Sequence, residues 1–100
     1  MMTTQTKRAP RESTMIAPSE SAVSRIVAGQ ALILDANHDE IRQLNTVGSF
    51  LWSLLLESPQ TEMKLLEEMV NEFDVTHEVA NADLDIFLAE LESLRLIKRS

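Results

Sequence analysis

The sequence predicts an α+β domain in which three short antiparallel strands precede three helices, and three observations predict it. Apolar and polar residues alternate between 22 and 44, with turn residues interrupting them; the apolar spacing becomes helical after Asn45; and Ser58-Pro59 and the polar stretch 74–78 divide the helical part into three. Strands that precede helices, rather than alternating with them, place the chain in the α+β class. One hundred residues without cysteine fit one domain whose single apolar core must suffice without disulfides.

Residues 1–20 contain Pro10, Pro18 and many serines and threonines but few large apolar side chains. Such a composition does not offset the entropy of ordering, so a disordered N-terminal arm is expected over 1–20 and the folded domain over 21–100. From Ala22 onward Val23, Arg25 and Val27 alternate with Ser24 and Ile26, Gly29-Gln30 interrupts, and Ala31-Leu32-Ile33-Leu34 follows, which reads as two strands around a turn. Residues 35–39 form a second polar turn, with Asn37 the residue most tolerant of a left-handed backbone. Residues 40–44 then complete the meander as its third strand.

Asn45 is placed to cap a helix by accepting from the amide of Val47 or Gly48. That helix is expected from 46 to about 57, and Val47, Phe50, Leu51, Trp52, Leu54 and Leu55 cover so wide an arc that most of it must be buried. Gly48 stands inside it, where glycine costs about 1 kcal/mol relative to alanine; a close approach of this helix to the sheet or to the third helix would explain it. Thr61 and Glu62 open a second helix whose apolar face is Met63, Leu66, Val70 and Phe73. The third helix is expected from 79 to about 94, with Leu84, Phe87, Leu88, Leu91 and Leu94 on one stripe and Ile86 off it. Residues 96–99 end the chain as a brief strand or a frayed tail.

Composition excludes several function classes. His38 and His77 are far apart and in turn-like segments, so no local metal motif exists and both read as solvated turn residues. No glycine-rich phosphate loop is present, no serine has a neighbouring base, and the acidic pairs Asp83 with Asp85 and Glu67 with Glu68 diverge on helix surfaces. No apolar run reaches the roughly 18 residues of a membrane span, and the N-terminus lacks the apolar region of a secretory signal, leaving the cytoplasm as the expected compartment. Residues 31–100 carry 14 acidic and 5 basic residues, a surface that repels phosphate backbones and argues against nucleic acid as partner. The expectation is therefore a non-enzyme without cofactor or metal, acting through a surface. The strand 40–44 offers one: at a sheet edge it is either protected by Glu40 and Arg42 or open to an extended peptide.

Leu32-Ile33-Leu34-Asp35, then Leu44-Asn45, Gly48 and Leu51-Trp52, then Asp83-Leu84, Phe87-Leu88, Leu91 and Leu96-Ile97, follow a combined pattern over about residues 22–98. In these segments the chain resembles the PqqD-like family of peptide chaperones, also described as RiPP recognition elements; Arg95 departs from that pattern by standing where glycine is usual. The resemblance implies a winged helix-turn-helix-like domain without catalytic activity that binds the leader segment of a ribosomally made precursor peptide. The leader would add to the third strand and lie against the third helix, for delivery to a modifying enzyme such as a radical SAM protein or a leader peptidase. On that reading the peptide-binding residues are Glu40, Ile41, Arg42, Gln43 and Leu44 of the strand and Asp83, Ile86, Phe87 and Glu90 of the helix. Ile86 is included because it is apolar off the core stripe, the acids as partners for basic leader residues, and Arg42 as partner for a leader carboxylate. A winged-helix DNA-binding regulator and a scaffold subunit of a maturase complex are the alternatives; the third helix, without lysine or arginine, disfavours the first.

Overall fold

In the computed structural model, which describes residues 14–36 and 38–100, the chain runs β1 (Ile16–Pro18), β2 (Ala22–Val27), β3 (Gln30–Asp35), β4 (Glu40–Gln43), α1 (Thr46–Glu57), α2 (Glu62–Glu72), α3 (His77–Ser93) and β5 (Ile97–Arg99). The α+β order and the antiparallel meander β2-β3-β4 match the expectation, and the strand expected third is β4. Residues 1–13 of the expected arm and the left-handed turn position of Asn37 lie outside the described residues.

Local chemistry accounts for the joints. Ala28 and Gly29 form the two-residue turn between β2 and β3 with φ of 53° and 81°, and positive φ at both positions matches the twist of the strands they connect. Asn45 accepts the Gly48 N–H at 2.8 Å, as its position implied. Thr61 accepts the Lys64 N–H and Thr76 the Val79 N–H. The Thr76 cap draws 77–79 into the first turn, so α3 begins two residues earlier than the apolar spacing alone indicated. At its other end the Arg95 N–H bonds to the Glu92 carbonyl and the Leu96 N–H to the Leu91 carbonyl, with Arg95 at φ 62°. These two bonds define a glycine-type helix terminus, completed here by an arginine held in the left-handed conformation.

The N-terminal boundary requires correction. Ile16–Pro18, assigned above to the disordered arm, pair antiparallel with β5, in the register Ile16↔Arg99 to Pro18↔Ile97. On its other side Ile16 exchanges both main-chain bonds with Gln60 in the α1–α2 connection, at 2.7 and 2.9 Å. Its side chain is 0% exposed, and that burial, together with ladder bonds on both sides, offsets the ordering cost that composition alone charged to the whole segment. The same pairing makes 97–99 a strand rather than a frayed tail. Arg99 secures it by donating to Glu62 at the start of α2 and to Glu92 near the end of α3.

The core lies between the inner sheet face and the helices. Ala31 and Ile33 of β3 meet Leu51, Trp52 and Leu55 of α1, and the cluster continues through Leu65 and Met69 of α2 to Leu84, Leu88 and Leu91 of α3. Trp52 is fully buried, and its indole N–H donates to the Ser24 hydroxyl at 2.9 Å, so α1 is bonded to β2 as well as packed on β3. Phe50 meets Phe73 edge-on at 5.4 Å, packing the first half of α1 against the C-terminal end of α2. Among the described residues no helix is long and apolar enough to cross a membrane.

Ile16→Ala should lower stability by about 2–5 kcal/mol in chemical denaturation, the range for emptying a buried isoleucine site; a loss under about 0.5 kcal/mol would mean that β1 is not part of the cooperative fold. Arg95→Gly should raise stability by about 1 kcal/mol, because glycine enters the left-handed region without the Cβ penalty, and a thermal melt that shifts downward would contradict the terminus described here.

Candidate functional site

Among the described residues β4 is the last strand of its sheet, with β3 on one side and no strand on the other. The Leu44 N–H donates to the Ala31 carbonyl at 3.0 Å. Given the register Ile33↔Arg42 and Asp35↔Glu40, antiparallel alternation turns the main-chain groups of Glu40 and Arg42 toward β3 and those of Ile41 and Gln43 outward. The open edge therefore presents two N–H and two C=O groups, one pair at each of these residues.

This edge faces a groove of about 430 Å³. One wall is Arg42, Gln43 and Leu44; the floor is Val47, Gly48 and Leu51 from the start of α1. The opposite wall is a single stripe of α3, Asp83, Ile86, Phe87, Glu90, Leu91 and Leu94, whose spacing of three and four residues keeps them on one face. Ile86 is 68% exposed there, an apolar side chain standing in solvent at the groove wall.

The junction of β4 and α1 sets the groove's shape. The Ala31 N–H, which a regular ladder would give to the Leu44 carbonyl, instead donates to the buried Ser49 hydroxyl at 2.8 Å, and that hydroxyl donates to the Leu44 carbonyl at 3.2 Å. One side chain of α1 is thus inserted as a link in the sheet. Gly48 completes the joint: a Cβ there would lie 3.2 Å from the Asn45 Oδ1, 3.3 Å from the Leu44 Cβ and 3.4 Å from the Phe87 ring. The Asn45 oxygen is held by its capping bond and the Leu44 Cβ by the backbone, so neither yields easily. The absent side chain therefore relieves the strand–helix joint at Leu44 and Asn45, while Phe87 of α3 packs over the same glycine at ordinary contact distance.

At the other end of β4, a buried carboxylate fixes Arg42, the only cation that lines the groove among the described residues. Asp35 is 0% exposed, and its Oδ2 accepts from Arg42 Nε at 3.1 Å and pairs with His38 Nδ1 at 2.8 Å. Arg42 Nη2 donates to Glu40 at 2.7 Å. Burial by itself would raise the Asp35 pKa, but the hydrogen bonds from Arg42 and His38, with the charge of His38, outweigh it and hold the carboxyl below its ordinary range. Asp35 Oδ1 is buried without a hydrogen-bond partner among the described residues.

Among family models, Coenzyme PQQ synthesis protein D (PqqD) matches residues 30–97. The chain belongs to the PqqD family. It is similar to the solved structure "TbiB1 in Complex with the TbiA(beta) Leader Peptide", at 26% identity and a TM-score of 0.75, over 82% of this chain and 94% of that one. A second, "Lasso peptide synthetase B1 complexed with the leader peptide", matches over 83% and 96% with a TM-score of 0.71; at 16% identity it shares the fold. A comparison with curated proteins found no match.

In this PqqD-family chain, seven of the nine residues singled out from the sequence line one groove: Arg42, Gln43, Leu44, Asp83, Ile86, Phe87 and Glu90. Glu40 and Ile41 stand outside it, Glu40 bonded to Arg42 and Ile41 on the outer sheet face at 70% exposure. Phe87 is half-buried and belongs both to the groove wall and to the side chains packed on the core. His38 is not merely a solvated turn residue, since it partners Asp35; His77 opens α3 on the surface. Among the described residues no group of three or more potential ligands is arranged to hold a metal. Sequence reading missed Ser49 and Asp35. Asp35 reads from sequence as a turn residue at the end of a strand motif, and a serine three places past the first residue of a helix has no sequence signature that marks it as a sheet link.

Because Asp35 ionises more readily in the folded chain than when unfolded, its contribution to stability is complete above about pH 4. It is lost as pH falls through the depressed folded value. Thermal melts from pH 6 down to pH 2 should show a steeper acid loss in the native protein than in Asp35→Asn; parallel curves would mean that the carboxylate does not stabilise the β3–β4 end.

Proposed function

We propose that the protein is a non-catalytic peptide chaperone that binds the leader segment of a ribosomally synthesised precursor and presents it to a modifying enzyme. The observation that carries this reading is the open edge of β4 facing a groove with an apolar floor. A leader in extended form extends the sheet to β2-β3-β4-leader, bonded through the main-chain groups of Ile41 and Gln43. These bonds tolerate any leader sequence, whereas side chains that enter between Leu44, Val47 and Phe87 meet a surface with shape and polarity of its own. Membership of the PqqD family supports the assignment, as does likeness to a structure solved with a leader peptide. The presentation step calls for a partner enzyme, of the radical SAM or leader-peptidase kind that the family resemblance implies. DNA binding through α3 is disfavoured by the helix itself, which carries Glu78, Asp83, Asp85, Glu90 and Glu92 and no lysine or arginine.

The site residues follow from the same geometry. Ile41 and Gln43 act through the backbone, Leu44, Ile86 and Phe87 through apolar contact, and Asp83 and Glu90 through charge. Arg42, expected from sequence to meet a leader carboxylate, is already engaged with Asp35 and Glu40; its role is to hold the strand's position. Glu40 shares that role.

Proline is tolerated at a sheet edge where the missing N–H faces solvent. Ile41→Pro or Gln43→Pro should therefore keep the circular dichroism and melting of the parent protein while weakening leader binding by up to about tenfold, the value of one main-chain bond. Calorimetric titration with a panel of synthetic leader peptides from ribosomally made precursors measures this, and amide NMR shifts locate it. Leader-induced shifts confined to surfaces away from β4 and α3 would overturn the binding mode.

A further inference from the structure

We infer that the groove selects a leader strand whose groove-facing side chains read basic, apolar, basic at alternate positions. The inference rests on the leader-binding reading above and adds to it the chemical class of the segment bound. Asp83 and Glu90 both line the groove and are exposed, and neither carboxylate has a hydrogen bond or ion pair among the described residues. They are separated by two helical turns, about 10.5 Å along the α3 axis. Ile86 and Phe87 lie between them on the same stripe, facing Leu44 and Val47 across the groove. The wall is thus an apolar centre with an unpartnered anion at each end.

Arg42, the single cation lining the groove among the described residues, does not cancel these charges. Arg42 donates through Nε to Asp35 and through Nη2 to Glu40, so its charge is met from within β3 and β4. A leader carboxylate entering the groove meets two free acids and an arginine already shared between two carboxylates; a leader amine or guanidinium meets two vacant partners. Charge complementarity therefore favours a cationic strand.

Strand geometry fixes the spacing. Side chains on one face of an extended strand recur every second residue, about 6.7 Å apart, so positions i−2 and i+2 are about 13 Å apart around a central residue i. That span exceeds the separation of the acids by about 1–1.5 Å at each end, a difference that the long, flexible stems of lysine or arginine absorb. The central residue is then placed over Ile86 and Phe87, where an apolar side chain removes the exposed isoleucine from water. Each outer pair remains partly solvated, so its effect is modest and salt-dependent, about two- to fivefold in affinity per pair.

The test uses the full chain and three synthetic peptides of one length that differ only at the alternate positions: lysine-leucine-lysine, glutamine-leucine-glutamine and glutamate-leucine-glutamate, with threonine between. Calorimetry at low and high salt gives affinity, and amide shifts at Ile41 and Gln43 report whether β4 is the site. The expected order is lysine over glutamine over glutamate, with about tenfold or more between the extremes at low salt. The order should collapse in Asp83→Asn/Glu90→Gln, two exposed substitutions checked by melting temperature. Equal affinity of the three peptides at β4 would overturn the charge selection and leave leader binding intact. A lysine preference that persists in the double variant would overturn its assignment to these acids. Absence of shifts at Ile41 and Gln43 with all three peptides and with the leader panel would overturn both readings.

Discussion

The hydroxyl of Ser49 is the point on which the sheet, the first helix and the groove all depend. A strand that runs into a helix within two residues loses the end of its ladder, leaving the Ala31 N–H buried without its ladder acceptor and the part-buried Leu44 carbonyl to the side chains of Gln30 and Ser49. An orphaned buried donor costs about 1–3 kcal/mol. Ser49 meets both groups at once, and because it stands on α1 it joins the helix to the sheet at a single allowed distance. Trp52, one turn further along, repeats the connection through Ser24. With α1 held at two points, Phe87 of α3 packs over Gly48 in its first turn, and the separation of α3 from β4 becomes a property of the core rather than of loops.

An open strand edge invites unwanted pairing, and β4 limits that hazard without closing itself. It is only four residues long and carries Glu40 and Arg42 on the face turned toward the helices, both devices that make indiscriminate strand addition less favourable. Protection of the edge by these charges and its openness to a peptide are therefore not exclusive. Asp35 binds the arginine from inside the sheet, so the same charge that marks the edge is withdrawn from competition for a peptide's acids. A buried carboxylate is costly unless it is met by hydrogen bonds from its surroundings, and its Oδ2 alone meets two.

What could be read from the residues follows the range over which each signal acts. Alternation over 22–44 and the caps at Asn45 and Thr61 are local, and they gave the meander and the helix starts without knowledge of the rest. The stripe on α3 is also local, which is why Asp83, Ile86, Phe87 and Glu90 could be placed on one wall. Ile16 was misjudged because its partners, Arg99 and Gln60, are distant in the chain, and a three-residue strand has no periodicity of its own. The roles of Ser49 and Asp35 are likewise products of tertiary contact: nothing in a serine or an aspartate announces that it will be buried. Arg95 was visible as a departure from glycine, and the backbone absorbed it by adopting glycine's conformation.

The pairing of β1 with β5 has a further consequence. Met15 and Ser100 exchange main-chain hydrogen bonds at 3.2 and 2.9 Å, so the chain enters and leaves this fold at one spot, and no residue of β1 or β5 lines the groove. A module whose two ends lie side by side can be spliced into a loop of another protein without stretching either host or guest. Its architecture is that of a removable cartridge: the strands that join its two ends leave the lining of the groove to other elements.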